Sequence, residues 1–557
     1  MTRPATFTSP IPPRMTLRSL ISFALLLPAT LLLAQGTVVQ QGKPFTKTLK
    51  GSTGDLFTVV DGIFAADGRH VLFVEEGLTP KVVRLDAQLQ PSEELVLKDH
   101  LISGVKWTAV APLISEGVLR CLLVSSTKKG SEFGIGTVNT AGALKLEHFN
   151  TIASFELPYV NDPTHTMADR PLPDPILFTR GLAYAQRERI IRSPDGQHYL
   201  VNHFSHKGKG NKRFGYAYLD KELTVLWQGT VELPYEDAKS SIHQILLGND
   251  GRIRLLTYVF QCSSAEQLGD KNCHELHLTT LTEQGKSVHD VLLEKDFVSS
   301  ARLLEREGDK VTIALRYGSL TGLPGLVASF DPLDPKLKPT PLLDQRLPSI
   351  RKTKLMAFGD PAADPKKPVS RTAKVPDEVV DLFALPDGGT LVVETFLDNA
   401  YQLPMGDAIA MRHLSGAVRL SQVRTNDSLG WQRIVDRTLM TTAGQAYEGS
   451  AALRGPGGTL LLHGHTPRGL DAILRAGADA GSDKSLAPAE PQVLRAAMVD
   501  DNGVVGKEGT LLLMEEGFVP CPMGTLLQPG GTRALVKSYD RGTQYRFTLV
   551  DLAKLGD

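Results

Sequence analysis

Three short clusters in this sequence hold side chains of the types that do chemistry, and the spacing within each decides what it could do. His274-Glu275-Leu276-His277 falls one residue short of the His-Glu-x-x-His zinc motif. On a strand, positions 274 and 277 face opposite sides, unlike two ligands one helical turn apart. His463-Gly464-His465 puts two imidazoles at i and i+2; they share a face on a strand but need a third ligand from elsewhere to hold an ion. His203 and His206 sit beside Lys207 and Lys209, a setting that reads as a solvated loop. None of the three is assigned as a metal site.

Nucleophilic and phosphate chemistry find less support. There is no Gly-x-Ser-x-Gly elbow to present a hydrolase serine. Gly285-Lys286-Ser287 ends as a P-loop ends, but Thr280 stands where the first glycine is required. Glycoside hydrolysis needs two carboxylates across a sugar, and Asp86, Asp220, Asp331 and Asp500 recur at similar places. A catalytic site is built once, whereas a turn is built in every repeat, so these four read as turn acids. Trp107, Trp227 and Trp431 are scattered and read as core residues rather than a sugar platform. No cofactor is expected, and catalytic and binding residues stay unassigned.

The four cysteines carry a compartment argument. Cys262 and Cys273 close a polar loop, 263–272, between two strand-like runs, a spacing that suits a disulfide stapling a long hairpin in an oxidising compartment. Cys121 lies in an apolar run and Cys521 among prolines; they read as two separate thiols at least as well as a long-range bridge. Arg14 and Arg18 precede an apolar run, 20–33, that ends at Ala34. A basic start, a short apolar stretch and a small residue at the cut describe a secretory signal peptide over residues 1–34, and the run is shorter than the roughly 20 residues of a membrane span. The expected location is periplasmic or secreted, with no membrane span once the leader is removed. That leader takes three arginines and no acid with it, leaving a net charge of −3. Such a balance offers no electrostatic footprint for nucleic acid or an anionic membrane.

The elements that must position these residues repeat along the chain. Eight glycine turns each precede a short apolar, β-branched run: Asp67-Gly68, Glu116-Gly117, Asp195-Gly196, Asp250-Gly251, Gly308, Asp387-Gly388, Gly457-Gly458 and Gly530-Gly531. Their mean step is about 66 residues, longer than the roughly 40–45 residues of a WD40 blade. In several units an alternating strand ending in Asp86, Asp220, Asp331 or Asp500 follows, and then another short strand. A unit of three or four strands cannot bury its apolar face alone, and radial stacking covers each sheet with its neighbours. The expected fold is all-β, a β-propeller of about seven or eight blades over residues 35–557. The last unit lacks an outer strand, while the segment around Phe45 has no sheet of its own, so the N-terminal strand is expected to close the ring. Tandem β-sandwich domains are the alternative. Stretches 157–175, 354–375 and 470–491 break the rhythm and read as inserted loops.

Ser193-Pro194-Asp195-Gly196 and Leu385-Pro386-Asp387-Gly388-Gly389 resemble the turn repeated in exported bacterial β-propellers of the TolB-like and WD40-like type. The stretch 216–234 is similar to a segment of exported bacterial proteins of unassigned function. The resemblance implies architecture, and no activity travels with a propeller fold. With no catalytic constellation in the sequence, the expected role is a non-catalytic binding or scaffold module for a protein or glycan ligand in the envelope or outside the cell. The alternative is a propeller-fold hydrolase or lyase acting on saccharide or peptide.

Overall fold

The computed structural model describes residues 37–47, 57–64, 69–76, 79–157, 189–205, 209–260, 274–283, 287–294, 298–306, 310–317, 325–330, 340–341, 378–405, 408–435, 439–441, 450–455, 457–465, 493–540 and 543–555. They form eight antiparallel meanders, each with a four-stranded core. Blade 1 begins with Phe57–Ile63, blade 2 with Val105–Ser115, blade 3 with Ile190–Arg192 and blade 4 with Ser240–Leu247. Blades 5 to 8 begin with Val298–Glu305, Glu378–Ala384, Ser450–Gly455 and Val519–Leu527. The eight glycine turns found in the sequence each join the first strand of one blade to its second.

Period-two patterning places one apolar set on each face of every sheet, and each set meets the next blade. Leu255 of blade 4 packs toward blade 3 with Tyr216 and Leu233, while its neighbour Leu256 packs toward blade 5 with Ile313 and Ala328. Seven such clusters join blades 1 to 8 in order. The eighth joins Phe547 and Leu549 of blade 8 to Phe57 and Val74 of blade 1. The sheets therefore close a ring. The chain is an eight-bladed β-propeller.

Closure uses the N-terminus as the sequence pattern requires. Val38–Gln41 and Phe45–Thr46 pair antiparallel with Gln544–Asp551, matching Val38 to Val550 and Phe45 to Tyr545. The ring of Phe45 stacks on Phe547 with centroids 5.8 Å apart and meets Phe57 edge-on at 5.7 Å. Lys47 then reaches blade 1, pairing with Glu94 and lying 3.5 Å from Glu76. The expected leader, residues 1–34, and the expected Cys262–Cys273 bridge lie outside the described residues, as do Asp331 and nearly all of the three inserted stretches.

Antiparallel alternation gives the ring two unlike faces. Every first-to-second and third-to-fourth turn falls on one face, and every other connection falls on the opposite one. The turn face is built from short, hydrogen-bonded reversals. In blade 6 the Leu385 amide donates to the Gly389 carbonyl at 3.0 Å, and Gly388 adopts φ 76°, a conformation glycine takes without steric cost. The third-to-fourth turns use acids as expected. Asp86, Asp220 and Asp500 each accept from the backbone amide four residues on, at 2.8–2.9 Å. On the opposite face begin and end the connections 158–188, 261–273, 342–377 and 466–492. The long hairpin Thr390–Met405 and Ala408–Val423 turns there too.

Candidate functional site

First strands of neighbouring blades meet at every interface but that of blades 2 and 3 among the described residues, so these strands form the wall of the axial channel. Several carry a β-bulge, between Val59 and Asp61, Ala109 and Ala111, Ile242 and Gln244, Val298 and Ser300, and Val379 and Asp381. A bulge re-aims the side chains that follow it. Counted back from the residue that opens the turn, Gln244, Arg302 and Asp381 hold the same place in blades 4, 5 and 6. Val59-Val60-Asp61 in blade 1 repeats as Val379-Val380-Asp381 in blade 6, each Asp six residues before an Asp-Gly turn.

These polar residues lie against one another across blades 4, 5 and 6. The Gln244 carboxamide accepts from the Leu303 amide at 2.7 Å and donates to the Leu303 carbonyl at 3.0 Å. Ser300 Oγ accepts from the Val379 amide at 3.0 Å. Arg302 crosses the wall: Nε donates to the Val380 carbonyl at 3.3 Å, and Nη1 donates to the Ala301 carbonyl at 3.1 Å. Nη1 also lies 2.9 Å from His243 Nε2. The imidazole stands edge-on to Tyr258 at 5.2 Å. Asp381 Oδ1 accepts from the Leu382 amide at 2.8 Å. Burial pushes its carboxyl up to about 6 against the opposing pull of Arg302. Asp61 has the same backbone bond, from Gly62 at 2.8 Å, and burial raises its carboxyl as well. The pair does not make an acid dyad, because blades 7 and 8 stand between blades 6 and 1.

Buried ion groups hold the blades that carry this wall. Glu394 accepts from Arg419 Nε at 2.8 Å and from Arg316 Nε at 2.5 Å, all three side chains being buried. Arg316 belongs to blade 5 and the other two to blade 6, so the triad spans an interface whose apolar cluster, among the described residues, is the smallest of the eight. Arg254 of blade 4 likewise binds Asp250 at 2.8 Å and approaches Glu305 of blade 5 at 3.5 Å. Removing one partner from such a buried pair leaves an uncompensated charge, at a cost of about 3–5 kcal/mol.

The residues singled out in the sequence are dispersed among other blades. His277 lies on a strand, as expected, with Nε2 3.0 Å from Glu275 and its ring against Tyr235. His203 is not on a solvated loop. It is buried on His198–Phe204, its ring 5.8 Å from Phe133, because period two directs it with Tyr199 and Val201 toward blade 2. His463 is buried on Gly458–His465, further into the strand than a polar strand end would sit. Cys121 and Cys521 are separate buried thiols. Trp107 is a core residue, and Trp227 and Trp431 pack against two interblade clusters. Among the described residues no group of three His, Cys, Asp or Glu side chains is placed to hold a metal, and no helix is long and apolar enough to cross a membrane.

No protein-family model and no curated protein matches the sequence. Among solved structures, prolyl oligopeptidase B from Galerina marginata is similar at 9% identity and a TM-score of 0.37 over 93% of this chain and 58% of that one. Synechocystis apocarotenoid oxygenase is similar at 10% identity and a TM-score of 0.33, over 87% of this chain and 95% of that one. A protein of unknown function from Bacteroides caccae follows at 12% identity and a TM-score of 0.25, over 66% and 94%. The chain thus spans little more than half the length of the first of these, and at such likeness no activity carries over.

Proposed function

We propose that this propeller is an exported, non-catalytic binding module that receives its partner, a protein or a glycan, at the face where the long connections begin and end. One observation carries the reading: Gln244, Arg302, Asp381 and His243 lie near the midpoints of the neighbouring inner strands of blades 4 to 6, on the channel wall. Among the described residues, the opposite face carries short turns. Backbone carbonyls and amides hold these side chains in place, which is the preorganisation a binding surface needs. The test is retention of envelope proteins and arrayed glycans on the immobilised chain. A specific ligand, released by substitutions at Arg302 or Gln244 in chains that stay folded at the assay temperature, supports the reading. Retention insensitive to every wall substitution contradicts it.

A second reading, a hydrolase or lyase acting on saccharide or peptide, is favoured by Asp381 alone, whose carboxyl near 6 suits proton transfer close to neutrality. It requires turnover in a glycosidase or peptidase panel, with a pH limb near 6 that disappears in Asp381→Asn.

A further inference from the structure

We propose a second binding site, a cleft between blades 7 and 8 on the turn face, that takes a free α-amino acid with a bulky apolar side chain. The inference is independent of the channel wall. At the turn face, side chains bridge the mouths of other interfaces. Arg84 reaches from blade 1 to the Thr140 and Gly142 carbonyls of blade 2, Arg306 from blade 5 to the Gly388 carbonyl of blade 6, and Arg433 from blade 6 to the Gly503 carbonyl of blade 7. Between blades 7 and 8, glycine stands at 457, 506 and 531, and a cleft of about 250 Å³ opens over the end of the apolar cluster. Met498 and Leu552, both packed in that cluster, line it, as does Val504, which is 55% exposed. The volume falls below the roughly 300–1,000 Å³ of a site for a drug-sized ligand and suits one large side chain.

Two opposite charges line the same cleft, Asp500 and Lys507. Met498 pairs with Lys507 across the sheet, and Asp500 stands two residues beyond Met498 on the same face. Acid and base are therefore diagonal neighbours, within reach of one small molecule. They are not spent on each other. Asp500 Oδ1 accepts from the Asn502 and Val504 amides at 2.9 and 2.8 Å, and Lys507 Nζ donates to the Ala553 carbonyl. A carboxylate has a second oxygen and an ammonium has three hydrogens, so each retains capacity for a charged partner. A carboxylate and an ammonium above an apolar floor complement a molecule that carries an ammonium, a carboxylate and an apolar side chain on one carbon.

L-phenylalanine titrated calorimetrically into the full chain should bind, and glycine, with the same charges and no ring, should bind at least about tenfold more weakly. Phenylalaninamide lacks the carboxylate and N-acetylphenylalanine lacks the ammonium, and each should also bind about tenfold more weakly. Lys507→Gln should weaken L-phenylalanine by about the same factor and leave phenylalaninamide unchanged. Asp500→Asn, whose Oδ1 keeps the turn bonds, should weaken L-phenylalanine and leave N-acetylphenylalanine unchanged. A Cβ at 457 would lie 3.9 Å from Met498 Cε, and one at 506 would meet nothing within 4 Å. Neither glycine has a positive φ, so Gly457→Leu and Gly506→Leu should fold, crowd the cleft and abolish binding. No binding of L-phenylalanine at millimolar concentration, equal binding of its amide, or binding unchanged in both leucine variants would overturn the proposal. Lys507 is exposed, so the Lys507→Gln comparison stands even where a leucine variant fails to fold.

Discussion

At Asp381 burial and the charge of Arg302 pull in opposite directions, and the opposition has a measurable sign. Its carboxyl titrates near 6 in the folded chain and at the ordinary 3.8 when unfolded. As pH rises between those values the unfolded chain ionises first, so unfolding is favoured, and above 6 the penalty is constant. Asp381→Asn should therefore raise the melting temperature at neutral pH and lose that advantage below pH 3.8. A stability difference that does not vary with pH would contradict the assignment. A second residue-scale test concerns Gly503, which turns at φ 77° in the third-to-fourth turn of blade 7. A Cβ there would lie 2.4 Å from Trp431 Cδ2, and Trp431 is itself held by a bond from Nε1 to the Asp501 carbonyl at 3.3 Å. Gly503→Ala combines an unfavourable backbone region with a clash and should destabilise by about 1–3 kcal/mol in urea unfolding.

At the scale of elements, inner strands are tied to their neighbours by side chains that use both backbone groups of the facing residue. Gln244 does this to Leu303. Truncating it would leave an amide and a carbonyl unsatisfied beside the buried Leu303, at about 1–3 kcal/mol for each such group. Gln244→Ala should thus lower the urea midpoint by the equivalent of about 2–6 kcal/mol, and a change under half a kcal/mol would show that the link carries no load. The strands themselves were legible in the sequence. Glycine and aspartate mark local reversals, and a local reversal is written in adjacent residues. The bulges were not, because a bulge is a mismatch between two strands and neither strand carries it alone. Gln244, Arg302 and Asp381 accordingly looked like single polar residues among apolar ones, although the repeated Val-Val-Asp in phase with two Asp-Gly turns was a usable signal. Arg316 and Glu394 lie 78 residues apart, beyond any local pattern.

For the whole molecule, each blade depends on two neighbours for its apolar faces, so stability rests on closure. The N-terminal strand supplies that closure, and blade 8 has no other fourth strand among the described residues. Deleting residues 37–47 should lower the melting temperature by many degrees and remove amide-exchange protection from Gln544–Asp551. The most direct test fixes the register covalently. Thr46 and Gln544 are exposed and face each other across the closing pair, at the 4.5–5.5 Å Cα separation of antiparallel partners, which a disulfide can span. In Thr46→Cys, Gln544→Cys, oxidation should join the N-terminal and C-terminal peptides within one chain, as read by mass mapping after proteolysis. Cysteines that stay unpaired, or that cross-link only between chains, would show that the ring is not closed in this way.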